Sequence, residues 1–132
     1  MSPTAQIDEV DESGQTLTTQ ISNEIVRLYK DLFGRGPTRA RTNYAGPDTI
    51  ITSLENSLTP AERSLAELGE HQRLRDIRMF FQHARERDLC DAVERLTGRE
   101  VRAFVSGIDT VHDVSSEVFY LGAEKRNDRP RR

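Results

Sequence analysis

A long helical stretch bracketed by two strand pairs limits this chain to few folds. The stretch runs from Leu58 to Leu96. It opens with Leu58-Thr59-Pro60-Ala61-Glu62, in which Thr59 suits an N-cap and Pro60 the first helical position, where its missing N–H costs nothing. Glu62, three residues after the cap, completes a capping box. Leu74, Ile77, Phe81 and Ala84 then recur at helical spacing, as do Leu89, Val93 and Leu96, which predicts one core-facing stripe. A short first helix is expected to end at Gly69 and the main helix to start near His71, with a break near Arg87-Asp88 where the stripe changes phase. Met79-Phe80-Phe81 is wider than one stripe, so Met79 or Phe80 is expected to meet a second element or a second subunit.

Before this stretch, Leu17, Ile21, Ile25, Leu28 and Leu32 predict a helix from Gln15 to Phe33, stopped by Gly34 and Gly36-Pro37. Thr38 to Tyr44 alternates, with Ala40, Thr42 and Tyr44 on one face and Arg39, Arg41 and Asn43 on the other. Ala45-Gly46-Pro47-Asp48 is turn chemistry, and Thr49 to Leu54 reads as the returning strand of a hairpin. After Gly98, Glu100 to Ser106 alternates with Val101, Ala103 and Val105 opposite Arg102 and Phe104. Gly107 to Ser115 reads as a polar connection and Glu117 to Leu121 as the last strand. Leu32-Phe33-Gly34-Arg35 and Leu96-Thr97-Gly98-Arg99 both lead from a helix into a strand, a weak internal echo that fits either a duplicated unit or ordinary helix stops.

These elements predict an α+β fold, a two-layer sandwich in which two hairpins form a four-stranded antiparallel sheet with helices on one face. Its 132 residues suit one domain, assigned to 14–121, between an acidic tail at 1–13 and a basic tail at 122–132. Too few apolar residues lie in 1–13 to offset ordering, so disorder is expected there. The net charge of -3 argues against a nucleic-acid partner. The single cysteine, Cys90, excludes an internal disulfide and points to a reducing, cytoplasmic setting. Neither a secretory signal nor a membrane-spanning run is evident.

No reaction centre emerges. Gly34-Arg35-Gly36 follows a helix rather than a strand and lacks a third glycine at phosphate-loop spacing. His71, His83 and His112 are scattered, and Asp109, His112 and Asp113 are read as turn formers rather than as a metal site. Cys90 and His83 lie two helical turns apart, too far for a catalytic pair, so Cys90 reads as a small buried hydrophobe. Neither a cofactor nor a metal is expected. The arginines are more suggestive. Arg35, Arg39 and Arg41 cluster around one strand face, and together with Arg78 they are the candidate residues for binding an anion or a partner. Arginine holds its proton too tightly to act as a general base, so binding rather than catalysis is expected.

The order of several passages resembles the MpsC-like family. The residues that carry it are Gly34-Arg35-Gly36-Pro37, Leu58 to Glu62, Arg78 with Phe81, Leu96 to Arg99 with Val101, Asp109, Asp113 and Val118-Phe119-Tyr120-Leu121. The likeness covers about residues 15 to 121. It implies a part in a sodium-translocating, membrane-potential-generating system linked to bicarbonate supply, and it brings no catalytic residues. The expectation is therefore a soluble accessory or interaction module that meets membrane-system subunits, and the two open sheet edges together with Met79 and Phe80 add the expectation of a homodimer. The alternative is a small-anion-binding or enzymatic domain using the arginine face.

Overall fold

The computed structural model describes Val10 and residues 14–124; Val10 apart, the assigned acidic tail lies outside the described residues, as does 125–132 of the basic one. The chain runs α1 (Leu17–Phe33), β1 (Arg39–Tyr44), β2 (Thr49–Glu55), α2 (Pro60–Glu67), α3 (His71–Ala84), α4 (Glu86–Thr97), β3 (Arg99–Asp109) and β4 (Val114–Glu124).

Local chemistry accounts for most boundaries. Thr16 caps α1 by accepting from the Thr19 N–H at 3.2 Å. Thr59 and Glu62 form the reciprocal capping box at the start of α2, with Pro60 as its first residue. Gly34 and Gly98 end α1 and α4 in the left-handed conformation (φ 85 and 74), where a side chain would be strained. The break in the long helical stretch falls at Arg85, two residues before the expected position.

All strand pairs are antiparallel, in the order β1-β2-β4-β3. The two hairpins thus stand back to back, with β2 and β4 at the centre and Thr52 paired with Glu117. Each hairpin follows a helix ended by a left-handed glycine, α1 before β1–β2 and α4 before β3–β4, while α2 and α3 lie between the two units in sequence. The strands of the second hairpin outrun the sequence reading. Only Thr110–Asp113 separates them, and β4 continues through Glu124, three residues into the segment assigned to the tail. Register shifts flank Val101 and reverse the expected phase of β3. Phe104, not Val105, faces the helices. Its ring lies 5.2 Å from that of Phe119, whereas Val105 is 55% exposed on the opposite face.

Burial is confined to the helix side of the sheet. Ile50, Leu54, Phe119 and Leu121 pack there against Ile21, Ile25 and Tyr29 of α1 and Leu89 and Val93 of α4. Helix α3 departs from expectation. Its inward residues are Leu74, Arg78 and Gln82, and the predicted stripe is only partly inside: Ile77 is 38% and Phe81 41% exposed, and Ala84 is exposed. The stripe fails because α3 covers a polar part of the sheet, where Glu117 and Ser106 demand polar partners.

The difference is measurable in denaturant melts. Phe119→Ala removes a fully buried ring and should cost about 3–5 kcal/mol. Phe81→Ala should cost about 1 kcal/mol, because its ring already meets solvent. Equal losses for the two would contradict the inward face given to α3.

Candidate functional site

Beneath α3 lies a layer of buried ionisable and amide groups. Glu117, from the central strand β4, is fully buried. Tyr29 of α1 donates its hydroxyl to Glu117 Oε2, and Gln82 Nε2 donates to the same oxygen at 3.3 Å. Gln82 also donates to Ser106 Oγ of β3. Burial pushes the Glu117 carboxyl up to about 7, against the pull of its Ser106 and Tyr29 hydroxyl partners and of Arg78. Burial likewise pushes the Tyr29 phenol well above its ordinary range, and the neighbouring Glu117 adds to the rise. Burial therefore keeps a proton on Glu117 where an exposed carboxyl would have lost it, although the Tyr29 hydroxyl it accepts from favours the charged form.

Arg78 sits beside this group at 0% exposure. Its guanidinium carbon stands 3.7 Å from the centroid of the Phe33 ring, and Nη2 donates to Ser57 Oγ. Nε faces Glu62 Oε2 at 3.4 Å, so the carboxylate that caps α2 also balances this charge. Burial lowers the Arg78 pKa, with Glu62 opposing the fall. Arg78 Nη1 and Gln82 Oε1 make no hydrogen bond among the described residues, so the layer is held at a cost.

A second cluster ties the end of β2 to the β3–β4 turn. Asp113 is buried in the left-handed conformation, φ 56. Its carboxylate accepts from the N–H groups of Ser57 (3.0 Å) and Leu58 (3.2 Å) and from Arg63 (3.3 Å). Asp109 accepts from the N–H groups of Val111 and His112, the turn role expected of it. Among the described residues no group of three or more His, Cys, Asp or Glu side chains is placed to hold a metal ion.

The four candidate arginines do not form one site. Arg35 is spent on the β2–α2 loop, where Nη1 donates to the carbonyls of Asn56 (3.0 Å) and Leu58 (2.7 Å). Arg78 has no access to solvent. Arg39 and Arg41 stay together, exposed on the face of the sheet that carries no helix, with no ion pair or hydrogen bond among the described residues. Glu55 is paired with Arg39 and Ser53 with Arg41 on that face. Further along it, Asn43, Ile51, Val118 and Val105 line up across all four strands, and Arg102 lies over Tyr120 at 5.7 Å. Cys90 is half-buried, and burial pushes its thiol up to about 12, so it is no nucleophile at neutral pH. Sequence periodicity missed Gln82 and Glu117. Their only signal was a Glu on the inward face of β4, between Ser115 and Phe119.

A family model described as Na+-translocating membrane potential-generating system (MpsC) matches residues 13–123. No curated protein and no solved structure matches the chain.

The buried carboxyl makes stability depend on pH. The unfolded chain releases the Glu117 proton near 4.5, the folded chain near 7. Across that window the folded state holds a proton that the unfolded state lacks, so stability falls as pH rises, by about 3 kcal/mol in total from this residue. Denaturant melts of wild type and Glu117→Gln, taken at about pH 5 and about pH 8, should show a smaller loss in the variant by most of that amount. Equal pH dependence in both would place the Glu117 carboxyl at its ordinary value.

Proposed function

Because the chain belongs to the MpsC family, we propose that it is a binding subunit of an ion-translocating membrane system, acting by docking and not by catalysis. No helix among the described residues is long and apolar enough to cross a membrane. In this reading the chain meets membrane-embedded partners from the cytoplasmic side, and it does so as a homodimer. One observation supports docking above the others: the second face of the four-stranded sheet carries no helical layer. The Ile51–Val118–Val105 row gives that face an apolar centre, and Arg39 and Arg41 give one edge two unpaired positive charges. Such a surface suits an acidic, partly apolar partner segment.

A second reading rests on a groove of about 290 Å³ between α1 and β1. Arg41 lines it with Thr18, Thr19, Ser22, Asn23 and Asn43. Hydroxyl and amide groups with one arginine in the lining suit a small oxyanion.

The test is capture of multispanning ion-translocating subunits from native membrane extracts, identified by mass spectrometry. Arg39→Gln with Arg41→Gln should leave the melting curve unchanged and weaken capture by about tenfold at low salt and less at high salt. Undiminished capture by the folded double variant would remove the arginines from the interface. Loss of bicarbonate binding in Arg41→Gln, with capture intact, would favour the oxyanion reading.

A further inference from the structure

We propose that the outer face of α3 is a self-association surface, on which the helix packs antiparallel against α3 of a second copy, with the two-fold axis at Phe80. The inference deepens the homodimer of the reading above and does not depend on the membrane partner.

Helix α3 is inverted in polarity. Arg78 and Gln82 face the core, while Phe80 points outward at 67% exposure, flanked by Ile77 and Phe81. A soluble helix that hides an arginine and shows two phenylalanines carries an apolar surface in need of cover. The surface is also firmly based. Phe80 meets Phe81 edge-to-face at 5.4 Å, Phe81 meets Phe33 at 6.3 Å, and the Arg78 guanidinium supports Phe33. Rigid aromatic side chains of this kind are typical anchors of interfaces.

Charge and spacing favour a second copy as the occupant. On a helical wheel, Asp76 and His83 lie on one flank of Phe80, and Ile77 and Ala84 on the other. A two-fold axis across α3 at Phe80 brings like flanks together in reversed order. Phe80 then stacks on its own copy, Ile77 comes opposite Ala84, and Asp76 comes opposite His83, each within one residue of matching register. The apolar groups meet apolar groups and a carboxylate meets an imidazole. The outer side of α3 also balances Arg73 against Asp76, lacking the excess of basic residues that an anionic lipid surface would require.

Light scattering and sedimentation on the full chain at micromolar concentrations test this. Wild type should show twice the chain mass of 15.0 kDa. Phe80→Glu should show the single-chain mass with an unchanged circular dichroism spectrum, its dimer dissociation constant raised by about 100-fold. Val105→Glu, on the open sheet face, should remain dimeric. Asp76→Lys should weaken the dimer, and adding His83→Glu should restore it. In a Cys90→Ser background, Phe80→Cys should oxidise to a covalent dimer. A monomeric wild type, a dimeric Phe80→Glu or a monomeric Val105→Glu would each overturn the inference. A monomer that still captures membrane subunits would sink this inference and the homodimer of the reading above but leave its docking role, whereas a dimer that captures none would support the inference and sink the docking role.

Discussion

The interaction on which the rest of the structure depends is the bond between Tyr29 and Glu117. It joins the first helix to the last strand, fixes a carboxyl in the middle of the sheet, and obliges whatever covers that part of the sheet to be polar. Helix α3 meets the demand with Gln82 and, one turn earlier, Arg78. Arg78 in turn needs a counter-charge, which the capping carboxylate of α2 supplies, and an aromatic bed, which Phe33 supplies. One buried acid therefore sets the facing of α3 and, through it, the seat of α2. Ion pairs and amides in such a place add little net stability compared with well-packed apolar groups, but breaking one partner leaves another stranded.

The cost of that layer is offset in the other half of the domain. Ile21, Ile25, Leu89 and Val93 from α1 and α4 bury Ile50, Leu54, Phe119 and Leu121 in an apolar core. The two halves divide the work: one supplies cohesion, and the other orients a helix whose aromatic groups face solvent. Arg39 and Arg41 are separate from both. They stand on the far side of the sheet, so substituting them leaves the core untouched.

What could be read from the sequence follows the range of the interactions. The capping box at Thr59, the left-handed glycines at positions 34 and 98 and the alternation in β1 are set within a few residues, and each stands where the sequence places it. The pairing of two hairpins into one antiparallel sheet follows from them. The facing of α3 is set by Glu117, thirty-five positions beyond Gln82, and hydrophobic periodicity cannot register it. Leu74, Arg78 and Gln82 are spaced as regularly as Leu74, Ile77 and Phe81, so the choice between the two faces lay in the chemistry of the sheet below. The phase of β3 was lost for a similar reason, since irregularities around Val101 leave no mark in composition. Arg35 and Arg78 looked like companions of Arg39 and Arg41, but their partners are carbonyls and rings from distant segments.

The place of β4 in the sheet has a consequence for how the chain is made. It is the last described element to leave the ribosome, yet it lies between β2 and β3 and carries the acid that orients α3. Until it emerges, β2 has one open edge, and Tyr29 and Gln82 have no acid to hold. The nascent chain can form its helices and first hairpin early, but its interior closes only when β4 has emerged. A growing chain of this topology exposes an unpaired strand edge from the emergence of β2 until that of β4, and a chaperone bound to the nascent polypeptide would have β2 as its natural target.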